Sequence, residues 1–174
     1  TLRCAHKVVV INNELKQYAA KMGAEPGKVS VVRAGIDFKR FNPSIYGGQI
    51  RERYGIGKED VVLFFMGWLW TFTGLREVTR ELLENKKKLP NIRLLVIGKG
   101  DLYQELQEIR CKYNLEQLLL LHWQPYEKMP QFIAASDICI LPAHNNETTR
   151  NIVPIKVYEY MACGKPVVAT RLPG

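Results

Sequence analysis

The stretch Asn151-Ile-Val-Pro-Ile-Lys-Val-Tyr-Glu-Tyr-Met-Ala-Cys-Gly-Lys-Pro-Val-Val-Ala-Thr170 contains one helix and one strand with both boundaries marked. Pro154 fits the first turn of a helix, where a missing N–H costs little. Gly164 fits the position just past a helix end, where left-handed backbone is wanted. Pro166-Val167-Val168 then restarts extended chain. The segment predicts a helix over 154–163 and a strand over 166–170.

Outward from this segment the same alternation repeats. Lys7–Ile11, Lys28–Arg33, Val61–Met66, Ile92–Ile97, Leu118–His122 and Asp137–Leu141 read as strands. Between them Asn13–Met22, Gln49–Tyr54, Leu75–Lys88, Asp101–Tyr113 and Glu127–Ala135 read as helices, the third with Leu75, Val78, Leu82 and Leu83 on one side. Strands that are apolar on both faces and separated by helices imply a parallel sheet covered on both sides. Right-handed crossovers complete the picture. The reading is α/β: a Rossmann-like, doubly wound parallel sheet of about six strands with helices on both faces. No internal repeat or low-complexity run interrupts it.

Composition agrees with a packed domain. The 174 residues are 47% hydrophobic, enough for a core. The longest apolar runs are far too short to cross a membrane. Four cysteines, Cys4, Cys111, Cys139 and Cys163, lack metal or disulfide spacing, and reduced thiols in a cytoplasmic protein are expected. Lys and Arg total 25 against 17 acids, a formal charge of +8, which favours anionic partners. The one dense run, Lys86-Lys87-Lys88, sits where a helix end is expected, and cations suit that end. No helix-turn-helix, zinc or RNA-recognition signature supports a nucleic-acid partner.

In open α/β sheets ligands bind beyond the carboxyl ends of the strands. Four segments follow those ends: Gly67-Trp68-Leu69-Trp70, Gly98-Lys99-Gly100-Asp101, His122-Trp123-Gln124-Pro125-Tyr126, and the polar loop from Pro142 to Asn151. They are expected to converge on one rim. Gly67, Gly98 and Gly100 allow backbone to approach a ligand closely, although tight strand-to-helix turns explain them equally. Gly98-Lys99-Gly100 begins a dinucleotide fingerprint, but its third position is Tyr103, and the following strand ends Leu121-His122 without an acid for a ribose. Nicotinamide and flavin enzymes are therefore disfavoured.

The amino end of the 154–163 helix is expected to aim free N–H groups at the rim, a site for an anion. Lys156 puts a cation in the first turn, where the helix dipole disfavours it, and a bound phosphate would compensate. Glu159 could accept bonds from two adjacent ribose hydroxyls. A solvated Lys and Glu on an ordinary helix face is the competing reading.

At this point the chain resembles a known family, the retaining glycosyltransferases of group 1, or family 4, with the GT-B fold. Val29–Phe41 is similar to its crossover segment, Val61–Gly67 to its first donor-domain strand and glycine turn, and Leu94–Gly100 to its next strand and turn. Ala135–Pro142 and, most specifically, Glu159-Tyr-Met-Ala-Cys-Gly-Lys-Pro-Val-Val168 continue the match in order. The resemblance implies that residues 1–26 end an N-terminal acceptor domain. Residues 27–174 are then the C-terminal domain that binds a nucleotide-sugar, lacking the final helix.

The implied activity is metal-independent, retaining transfer from a UDP- or GDP-sugar, GDP-mannose among them, to a glycan or lipid-linked acceptor in polysaccharide biosynthesis. The acceptor would lie on the missing domain, so the fragment alone should be inactive. No cofactor is implied, and the Asp-x-Asp motif of metal-dependent transferases is missing. The implied location is cytoplasmic, with peripheral association of the full protein at the inner face of a membrane.

The resemblance assigns Lys156 and Glu159 to catalysis and ribose binding. It assigns Gly67, Trp68, Gly98, Lys99, Gly100, Trp123, Gln124, Pro142, Asn151, Pro154 and Ile155 to the donor. Two departures stand out. The first glutamate of the family's Glu-x7-Glu pair falls on Asn151, while a branch with Pro-x-Lys-x-x-Glu-Tyr-Met-Ala fits Pro154 to Ala162. The usual Arg/Lys diphosphate pair falls on Trp68 and Thr73, which passes that charge to Lys156, Lys99 or Arg150. The rival readings are a GT-B nucleotide-sugar epimerase and a non-catalytic nucleotide- or nucleic-acid-binding module.

Overall fold

The computed structural model describes residues 2–150 and 152–172. Two parallel sheets form. In the smaller, β1 (Val8–Val10) pairs with β2 (Val29–Val31), with α1 (Asn13–Lys21) between them. Asn12 opens α1 by accepting the Leu15 N–H at 2.8 Å. This unit has its own small core of Ala19, Ala24 and Val29.

In the larger sheet α2 (Gly48–Arg53) precedes β3 (Val61–Trp68), α3 (Leu75–Glu84), β4 (Ile92–Lys99), α4 (Leu102–Lys112) and β5 (Leu118–Leu121). There follow α5 (Met129–Ala135), β6 (Ile138–Leu141), α6 (Glu147–Arg150), α7 (Ile155–Ala162) and β7 (Val167–Ala169). The strand order is β5-β4-β3-β6-β7, all parallel. Consecutive residues Phe64, Phe65 and Met66 are all buried, as are Leu94 to Ile97, because both faces of these strands are covered. From β3 the chain steps outward through α3 and α4 in one direction, then returns through α5 and steps outward through α7 in the other. With right-handed crossovers the two sets of helices lie on opposite faces. The order reverses between β3 and β6, the point where such sheets open a crevice.

The six-strand expectation thus becomes five strands plus two. The strand foreseen over Lys28–Arg33 joins β1 rather than the larger sheet, so a division after residue 26 falls between two paired strands. The helix foreseen over Leu75–Lys88 stops at Glu84. Asn85 caps it with its N–H on Glu81 O, and the Lys86–Lys88 run lies in a turn, with Lys86 Nζ donating to Tyr113 O at 3.0 Å. The loop foreseen over 142–151 contains α6, whose start is marked by Asn146 accepting the Thr149 N–H at 3.0 Å. No helix among the described residues is long and apolar enough to cross a membrane.

Candidate functional site

Three anchors fix α7 over the carboxyl end of β3. Tyr160 is fully buried, its ring edge-on to Phe64 with centroids 5.8 Å apart. Its hydroxyl accepts the Met66 N–H at 3.1 Å. That N–H lies past the pairing of β3 with β6, which stops at Phe64↔Cys139, so the tyrosine satisfies a group the sheet leaves open. At the far end Gly164, at φ +70°, closes the helix: its N–H bonds Met161 O and the Lys165 N–H bonds Tyr160 O. This is the paired closure that a left-handed glycine permits.

The amino end of α7 therefore faces the turn after β3. Pro154 precedes it, and no side chain caps it. Lys156 reaches back across the sheet rim. Its ammonium lies 4.3 Å from the centre of the Phe65 ring and so close to Gly67 that a Cβ there would stand 2.5 Å from Nζ. Gly67 is also at φ +133°, so the backbone demands glycine, and a side chain there would push the lysine tip away. Apolar surroundings draw the Lys156 ammonium down to about 8 by desolvation, against a smaller upward pull from the Glu159 carboxylate.

Lys156 and Trp68 form a divide between two cavities of about 470 and about 430 Å³. The larger is lined by Gly67, Trp123, Gln124, Tyr126, Ile155 and Glu159, among others. The smaller is lined by Trp70, Phe72, Thr73, Pro154 and Val157 with residues of the β6 and β7 ends. Glu159, only 5% exposed, accepts a hydrogen bond from the Tyr126 hydroxyl at 2.5 Å. Desolvation, then this bond to a carboxylate, push the Tyr126 phenol up to about 12.

The remaining expected residues divide clearly. Trp68, Trp123, Gln124, Pro154, Ile155, Lys156, Glu159 and Gly67 come together. Gly98, Gly100 and Pro142 do not line either cavity. A Cβ on Gly98 would stand 2.0 Å from Gly67 O, and one on Gly100 2.6 Å from Leu69 O. Close protein neighbours require glycine at both positions. Pro142 lends its carbonyl to the close approach of Gly74. Lys99 sits at the rim with its ammonium 4.7 Å from the Trp68 ring centre and 5.4 Å from that of Trp123, and Trp70 stacks on Trp68. Arg150 is turned to Asn145. Asn151 lies outside the described residues. Tyr126, from the rim segment 122–126, also lines the larger cavity, and Met66, Ile97, Met129 and Val153 are cavity residues not singled out from sequence.

An anion resting on the amino end of α7 would thus meet one half-buried cation, the positive helix end and open backbone at Gly67, with a carboxylate one turn deeper in the larger cavity. Residues 48–174 match the family described as glycosyl transferases group 1. The chain is 26% identical to the Escherichia coli UDP-Gal:alpha-D-GlcNAc-diphosphoundecaprenol alpha-1,3-galactosyltransferase, over 99% of this chain and 44% of that protein. It is 29% identical to a GDP-mannose-dependent phosphatidylinositol monomannoside mannosyltransferase of Mycolicibacterium smegmatis, over 80% of this chain and 37% of that protein. Among solved structures, Anabaena HepE in complex with UDP and glucose superposes with a TM-score of 0.77 at 21% identity, over 98% of this chain and 46% of that one. This last likeness speaks for the fold. The chain spans less than half the length of these relatives.

Proposed function

Because this chain belongs to the glycosyl transferases of group 1, we propose that it is the part of such an enzyme that holds a nucleotide-sugar donor, a UDP- or GDP-sugar, by its diphosphate. The observation that carries this reading is the position of Lys156. Its ammonium stands at the Gly67 turn, at the amino end of α7, between two cavities, where the strand order reverses. The larger cavity takes the nucleoside, with Glu159 toward the ribose and Trp123 and Gln124 toward the base. The smaller lies on the sugar side of the diphosphate.

In transfer, the bond between the anomeric carbon and the diphosphate oxygen breaks, and its electron pair stays with the oxygen. Lys156 and the amide dipoles of α7 meet that charge as it develops, without a metal or other cofactor. Transfer proceeds with retention, to a glycan or lipid-linked acceptor, in the cytoplasm against a membrane face. A diphosphoundecaprenol acceptor in one relative's name supports the lipid-linked class.

The test is calorimetric titration of the chain with UDP, GDP and ADP. One of them is expected to bind saturably, and Lys156→Ala to weaken it roughly 10- to 100-fold, the worth of one charge-assisted contact. No saturable binding by any of the three, or equal affinity in the variant, would overturn the reading.

A further inference from the structure

Glu159 is a carboxylate almost wholly withdrawn from water on the wall of the larger cavity. A buried carboxylate needs donors. Among the described residues its side-chain hydrogen bond comes from the Tyr126 hydroxyl alone. Tyr126 lies 33 positions away, on the turn Tyr126–Lys128 that leads into α5. Tyr126 is 44% exposed, its ring tilted against Phe41 at 5.6 Å and under the Arg40 guanidinium at 5.3 Å. The hydroxyl end lies in the cavity while the ring keeps an open side toward solvent. A phenol O–H and a sugar O–H are the same kind of donor, and here the phenol stands at the carboxylate that would receive a ribose.

We propose that the Tyr126 hydroxyl occupies the ribose-recognition carboxylate of the empty site and is displaced from Glu159 when a nucleotide's ribose arrives. This rests on the donor-site reading above and adds an affinity-setting role to it. Tyr126 sets the affinity by competition. It keeps Glu159 satisfied without ligand, and a ligand gains only the difference between two ribose hydroxyls and one phenol. A nucleotide lacking those hydroxyls cannot displace it with profit. Tyr126 is thus a positioning residue that keeps the vacant carboxylate satisfied and sets how much a ribose gains on reaching it.

The test is a cycle of two proteins and two ligands, each pair titrated calorimetrically. The proteins are the chain and its Tyr126→Phe variant, and the ligands are the nucleoside diphosphate that binds best and its 2′,3′-dideoxy analogue. Removing the phenol leaves the empty site with an unsatisfied carboxylate and the ribose-bound site unchanged. Tyr126→Phe is therefore expected to tighten the ribonucleotide about three- to ten-fold and to leave the dideoxy analogue no tighter. Unchanged or weaker ribonucleotide binding by the variant would overturn the competition, as would an equal gain for both ligands. Failure of the unaltered chain to bind any nucleoside diphosphate would instead strike the donor-site reading. Thermal melts of both proteins establish that the variant is folded. Adding Glu159→Gln to Tyr126→Phe, which removes the charge as well as the phenol, is expected to abolish the gain.

Discussion

Lys156 is the side chain whose environment most directly shapes behaviour in solution. Its ammonium is held down to about 8 from an ordinary 10.5 by desolvation. A bound diphosphate favours the charged form, so it raises this value again. Below about pH 8 the empty site already carries the proton, and affinity is level. As pH rises through 8 the ligand must bring a proton in, and affinity falls by up to about ten-fold per pH unit. Calorimetry in buffers of differing ionisation enthalpy should therefore register proton uptake on binding near pH 9 and almost none near pH 7. Lys156→Met should lose the difference. Folding responds with the opposite trend. The unfolded chain holds more protons between about 8 and 10.5, so Lys156 adds stability as pH rises through that window. Lys156, Glu159 and Gly67 were singled out in the sequence by the helix dipole, a carboxylate placed for a ribose and a strand-end glycine, and the structure brings the three to one cavity. Tyr126 was legible only as part of the rim segment 122–126, since nothing in its own neighbourhood shows that it meets a residue 33 positions on. Gly98 and Gly100 were legible as close approaches, but the approaching atoms are Gly67 O and Leu69 O.

At the scale of elements, the hold of α7 on β3 decides where the site's groups stand. Tyr160 reaches from the helix to a strand N–H that no neighbouring strand satisfies. Tyr160→Phe keeps the ring packing on Phe64 and orphans the Met66 N–H. Leaving a buried donor unpaired costs about 1–3 kcal/mol, and urea denaturation should show a loss of that size. A loss below a few tenths of a kcal/mol would mean that the hydroxyl does not hold the helix. The helix itself was readable at both ends from Pro154 and Gly164, residues whose backbone chemistry is local. The end of α3 was not. Apolar spacing continues past Glu84 to Leu89, and only the closure of the chain at Asn85 shows that the helix stops. In the rim loop, α6 depends on a reciprocal pairing of Asn146 and Thr149 that a polar sequence does not advertise.

For the molecule as a whole, alternation of apolar strands with helices was enough to foresee a doubly wound parallel sheet, because only burial on both faces explains runs such as Phe64 to Met66. Strand partnership was less legible. Val29–Val31 would read the same in either sheet, and only tertiary contact with Val8–Val10 assigns it to the smaller unit. The sheet order puts the reversal between β3 and β6, and there the proposed diphosphate rests, against Gly67 and the amino end of α7. Amide chemical-shift mapping of the isotope-labelled chain during titration with UDP or GDP tests this most directly. The largest shifts are expected at Gly67, Ile155 and Lys156. Shifts confined to α1 and its two strands, or to the far edge at β5, would contradict it.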